Sequence, residues 1–184
     1  MAIFLATSSQ YLAPWLPLAY IREAIMAGEW WRLLSGGWLH HNMMHLWMNL
    51  AAMSLIWSLF LPILSGWRWL LVMVLEVLLV DLCLLLFMPS TLNYWGLSGA
   101  IHGLFVFCCL LSWQRGEAQA KWWFSGLLLK LLFDLTREDG MTAHLIGARV
   151  HVESHLFGTL TGIALALLVM LWAKLKPKTY VGHH

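Results

Sequence analysis

Apolar residues run along this chain in long, nearly unbroken stretches. They do not follow the three-and-four spacing of a surface helix or the alternation of a half-buried strand. A helix that is apolar on every face needs apolar surroundings, and crossing a bilayer takes ~20 such residues. Residues 43–64, 67–87, 95–113, 122–135 and 153–172 read as spans of this kind. Residues 2–21 read as another, interrupted by Pro14 and Pro17. Polar connections separate them. Residues 22–42 carry Glu29, Trp30, Trp31 and Arg32, and residues 88–94 carry Pro89 and Asn93; 115–121 and 136–152 are two more, and Ser65 and Gly66 make the short break before residue 67. The pattern predicts an all-α, polytopic membrane bundle of six helices, one unit over residues 1–178. Residues 179–184 form a tail in which His183 and His184 read as the start of an affinity tag.

Composition strengthens this reading. Hydrophobic residues are 61% of the 184 and charged residues 11%, against roughly 45–50% and about 25% in a soluble domain. Mean hydropathy is +0.74. So few polar groups cannot coat a water-soluble globule, and so many apolar ones exclude a disordered chain. The 13 Trp suit a membrane interface. Net charge is +2, so no broad basic face exists for nucleic acid. Cys83, Cys108 and Cys109 lie in apolar runs and read as packing residues rather than a disulfide or metal framework. Loop charges bear on orientation. With both termini cytoplasmic, Arg68, Arg115, Lys121, Lys174, Lys176 and Lys178 lie inside. Arg22, Arg32, Arg137 and Arg149 lie outside, among Glu23, Glu29, Glu138, Asp139 and Glu153. The bias favours termini inside.

Polar groups inside spans are costly and mark candidate sites. His45 and Asn49, four apart, share a helix face one turn apart, with His40 and His41 just before them. Ser98 opens an apolar helix within Gly96-Leu97-Ser98-Gly99-Ala100-Ile101-His102-Gly103, and His155 opens the last span. Gly99 and Gly103 follow the serine, and Gly158 and Gly162 follow the histidine. Such small-residue faces let helices approach closely. If these two spans cross there, Ser98 and His155 meet at one depth. A neutral imidazole can then take the serine proton, while His45, Asn49 and the Ser98 N–H can face a developing oxyanion. No carboxylate has an evident place as a third member: Glu153, two residues from His155, lies on another face. A serine–histidine pair is therefore expected rather than a triad. Glu76 and Asp81 read as structural hydrogen-bonding groups, and Lys130 and Asp134 as a same-face ion pair.

The ordered combination resembles the rhomboid intramembrane serine proteases over residues 20–172: Trp31-Arg32, then His40, His45 and Asn49, then Gly96-Leu97-Ser98-Gly99, then His155 with Gly158 and Gly162. The resemblance implies six helices, Ser98 as nucleophile, His155 as general base and His45 with Asn49 as oxyanion hole. It implies no cofactor or metal, and a site recessed from the periplasmic side of a bacterial inner membrane. His40 matches a position that braces the first loop. Two departures stand out. His102 replaces a tyrosine usual one turn after the serine, and 59–66 lack the usual acidic residue. His102 is a candidate for stacking on His155 or hydrogen-bonding to it. These departures, the small size, and the strings Arg22-Glu23-Ala24-Ile25-Met26-Ala27-Gly28-Glu29-Trp30-Trp31-Arg32 and Gly96-Leu97-Ser98-Gly99-Ala100-Ile101-His102-Gly103 look most like the rhombosortase subgroup. That resemblance implies substrates ending in a Gly-Gly motif, a transmembrane helix and a basic tail, with release to water or transfer to an amine. Glycine suits such a site, since it lowers the cost of unwinding a helix and lets backbone approach closely.

Two other classes compete. One is a metal site built from His40, His41, His45, His144, His151 and His155, since imidazoles bind zinc. His41 and His45 enclose Asn42, Met43 and Met44, so the glutamate base of H-E-x-x-H is missing. The other is a helix-binding pseudoprotease or small transporter. The retained Ser98 and His155 argue against the first of these, and the lack of internal repeats against the second.

Overall fold

The computed structural model describes residues 3, 6–8, 17–136 and 141–175. Most of the expected first span therefore lies outside the described residues, as do Arg137, Glu138, Asp139, Lys176, Lys178 and the tail with His183 and His184.

The first described element corrects the expectation for residues 20–21. They do not end a span but form strand β1 (Tyr20–Ile21), paired antiparallel with β2 (Asn93–Tyr94) in the register Tyr20 to Tyr94 and Ile21 to Asn93. Their backbone groups are satisfied by that partner, and the Arg22 amide continues the ladder to the Leu92 carbonyl at 2.9 Å. The connection that follows is also more ordered than a plain loop. It holds α1 (Arg22–Met26), α2 (Arg32–Ser35) and a 3-10 turn (Gly36–Trp38). Gly28 turns between them with φ +108°, a conformation that costs glycine little.

The long apolar runs fold as expected. They become α3 (Met43–Phe60), α4 (Trp67–Phe87), α5 (Ser98–Gln114), α6 (Gln119–Thr136) and α8 (Val152–Leu175). Short α7 (Met141–Ile146) lies in the last polar connection. Among the described residues, α3, α4 and α8 are long and apolar enough to cross a membrane; α5 is a shorter apolar helix. Helices satisfy their own backbone groups, as lipid requires. Leu86, Leu129, Leu167, Leu168 and Trp172 are exposed outward, where acyl chains would cover them. The protein is an all-α polytopic membrane bundle.

Helix α5 sits at the centre, packed on α3, α4, α6 and α8. Its Leu104 and Phe107 join a core with Phe60 and Met73. Phe60 meets Phe105 and Trp123 edge-on, with centroids 5.6 and 5.2 Å away. The cysteines are free; Cys108 and Cys109 are buried and Cys83 is half-buried. Glu76 is fully buried and its Oε2 accepts from Thr161 Oγ1 at 2.7 Å, a bond tying α4 to α8.

Candidate active site

The expected crossing of α5 and α8 forms, and it is tight. A Cβ at Gly158 would collide with the Gly99 carbonyl, and one at Gly162 with the Gly103 carbonyl. From the other side, a Cβ at Gly99 would stand 2.8 Å from the Ser154 carbonyl oxygen, and one at Gly103 equally close to that of Gly158. Only glycine at these four positions lets the two backbones touch. The contact brings the N-terminal turns of both helices to one end of the bundle.

Ser98 and His155 meet there. Ser98 Oγ lies 2.9 Å from His155 Nε2, across 57 residues of sequence. Ser98 is half-buried and His155 is buried. Ser98 is the first residue of α5, so its N–H has no intrahelical acceptor and points out with the positive end of the helix.

The turn that presents Ser98 is fixed by groups outside the motif. Tyr94 in β2 donates its hydroxyl to the Gly96 carbonyl at 2.7 Å. Gly96 has φ +137°, and a Cβ there would stand 2.8 Å from His45 Cε1. Glycine is thus needed twice over, for the backbone and for the imidazole beside the serine.

His45 and Asn49 arrive from α3. Asn42 caps that helix, its Oδ1 accepting from the His45 amide at 2.8 Å, while its Nδ2 donates to the Leu145 carbonyl at 3.2 Å. One side chain therefore sets the start of α3 and ties α7 to it. His45, Asn49, Tyr94, Trp95, Ser98 and His155 line one cavity of about 380 Å³. Asn49 Nδ2 is buried without a hydrogen-bond partner among the described residues. His40 and His41 pack on His45, edge-on at 5.0 Å and stacked at 5.8 Å.

His40 lies in the loop before α3, and burial, with the neighbouring His45, pulls its imidazole down to about 3. In the unfolded chain it takes a proton near its ordinary 6.5. The folded state binds fewer protons between these values, so stability falls as pH drops from about 6.5 towards 3. His40→Gln is expected to flatten that loss by about 1.4 kcal/mol per pH unit, read as the pH dependence of thermal unfolding in detergent. Burial also lowers His41 and His151, which keep their own share of the slope.

The remaining candidates fall in other places. Arg32 is buried and forks onto Glu29 Oε2 at 2.6 and 2.7 Å while donating to the Ala19 carbonyl at 2.7 Å. Trp31 Nε1 donates to the Pro17 carbonyl at 3.1 Å. Both brace the first loop and stand away from the cavity. His144 is exposed, and among the described residues no three His, Cys, Asp or Glu side chains converge as a metal-ligating group.

His102 does stack on His155, with ring centroids 4.1 Å apart and planes 12° off parallel. Its Nδ1 lies 2.7 Å from the Ser98 carbonyl and its Nε2 3.1 Å from Lys130 Nζ. Lys130 pairs with Asp134 at 2.6 Å, as their spacing predicts. The expectation that no carboxylate reaches the histidine is corrected: Asp134 Oδ2 stands 3.5 Å from His155 Nδ1, in ion-pair range but longer than a good hydrogen bond. Spacing along α8 cannot reveal a carboxylate supplied by α6; the signal was two ionisable residues inside an apolar helix.

A family model described as Rhomboid domain matches residues 27–172. Among curated proteins, none matches the chain.

Proposed function

Because the chain belongs to the rhomboid family of intramembrane serine proteases, we propose that Ser98 and His155 are its nucleophile and general base. The 2.9 Å contact between Oγ and Nε2 at the wall of a cavity carries this reading. In the reaction, His155 Nε2 takes the serine proton as Oγ attacks the scissile carbonyl. The resulting oxyanion sits among the Ser98 N–H, His45 and Asn49. The tetrahedral intermediate collapses as His155 returns the proton to the leaving amine, and water or an amine then resolves the acyl-enzyme.

The buried, unpartnered Asn49 Nδ2 supports the oxyanion role. Asn49→Ala is expected to lower kcat about 10²-fold with little change in KM, since the donor acts on charge that develops in the transition state. Steady-state cleavage kinetics in detergent micelles check it.

The substrate we propose is a membrane protein whose C-terminus carries Gly-Gly, a transmembrane helix and a basic tail. The resemblance in the string from Arg22 to Arg32 and in that from Gly96 to Gly103, with its His102, supports it. The site faces the periplasm of a bacterial inner membrane, with both termini cytoplasmic, as the loop charges favour. The test is cleavage of a reporter bearing such a tail in proteoliposomes, with the product ends mapped by mass spectrometry. Cutting beside Gly-Gly that is lost when the pair becomes Leu-Leu supports the assignment. Equal cutting of both reporters overturns the substrate class and leaves a general rhomboid protease.

A further inference from the structure

We propose that Asp134 on α6 is the positioning residue for His155, held in place by Lys130, so that a three-helix network orients the base. The proposal rests on the reading of Ser98 and His155 as the reacting pair.

Hydrogen-bond roles around the network are forced by chemistry. A carbonyl only accepts, so His102 Nδ1, 2.7 Å from the Ser98 carbonyl, carries the proton. An ammonium only donates, so His102 Nε2, 3.1 Å from Lys130 Nζ, accepts. His102 is thus a neutral ring in one tautomer, laid flat against His155. The same reasoning applies to His155. A carboxylate only accepts, so Asp134 beside Nδ1 favours the tautomer with its proton there, leaving the Nε2 lone pair to the serine. Lys130 joins the two restraints, because one ammonium holds both Asp134 at the ring's edge and His102 on its face.

The circuit is closed. It runs from Ser98 Oγ to His155, Asp134, Lys130 and His102, and returns to the Ser98 carbonyl. Glu153, two residues from His155 in sequence, takes no part; it faces His151 at 3.2 Å and Arg149 at 3.9 Å. The side chain of Asp134 is 20% exposed, so its field is little screened. The 3.5 Å separation suits a contact that shortens as the imidazole gains charge.

The experiment measures phosphonylation of the full-length, detergent-purified protein by a fluorophosphonate. In that step the Ser98 Oγ–P bond forms, P–F breaks, fluoride leaves and the Oγ proton passes to His155. Rate constant and probe affinity, kinact and KI, are read separately, with Tm beside them. Asp134→Asn is expected to lower kinact 10- to 100-fold at unchanged KI, and Asp134→Glu to recover most of it. The double variant Lys130→Met/Asp134→Asn removes both charges and leaves no unpaired ion. It is expected to stay as slow as Asp134→Asn; recovery of the wild-type rate would reduce the pair to a structural ion bridge and overturn the proposal. Wild-type kinact in Asp134→Asn, with labelling still lost in Ser98→Ala and His155→Ala, also overturns it and leaves the reacting pair standing. Labelling that persists in Ser98→Ala overturns the pair itself.

Discussion

Ser98→Ala is expected to reduce turnover of a membrane substrate by ~10⁴-fold or more while Tm stays within a few degrees of the wild type. The loss is large because no neighbouring side chain can replace the hydroxyl at 2.9 Å from His155. The fold is spared because Ser98 is the first residue of its helix and half-buried, and the α5–α8 crossing is set by the glycine faces rather than by its hydroxyl. Cleavage kinetics and thermal unfolding of the same preparation check both halves. A drop in Tm matching the drop in activity would make Ser98 a packing residue.

Gly158→Ala is expected to lower activity strongly as well, though less than Ser98→Ala, by another route. The added methyl would collide with the Gly99 carbonyl, which belongs to a helix backbone and cannot rotate aside. The α5 and α8 backbones must separate, and overpacking of this kind costs about 1–3 kcal/mol. Since His155 lies one turn before Gly158 and Ser98 one residue before Gly99, the separation also opens the pair, and small misplacements cost ~10²-fold in rate. Gly126→Ala is the control. Gly126 lies on α6 with nothing near the position of a Cβ, so alanine there is expected to stabilise by about 0.5–1 kcal/mol. Equal effects of the two substitutions on Tm and activity would contradict the close-crossing account.

The bundle was legible because its helices are written as unbroken apolar runs, a signal that requires no knowledge of neighbours. The meeting of Ser98 with His155 was legible for a related reason: each is followed by two glycines four apart, and a small-residue face predicts what it packs against. The ribbon of Tyr20–Ile21 with Asn93–Tyr94 was not, because two residues per strand are too few to show alternation. Its effect on Ser98 runs through the Tyr94 hydroxyl, a contact made only after folding. Asp134 was hidden differently. Its bond to Lys130 is local and visible as an i,i+4 pair, but its approach to His155 depends on how α6 leans on α8. Asn42 could have been found, since asparagine just before a helical run is a favoured cap, and it places His45 in the cavity.

The most direct test of the central claim is the intact mass of detergent-purified protein after reaction with a fluorophosphonate, compared across wild type, Ser98→Ala and His155→Ala. A single adduct mapped to Ser98, and absent from both variants, is the predicted result: a serine activated by that histidine. A folded wild type that takes no adduct, or an adduct that survives either substitution, would contradict it.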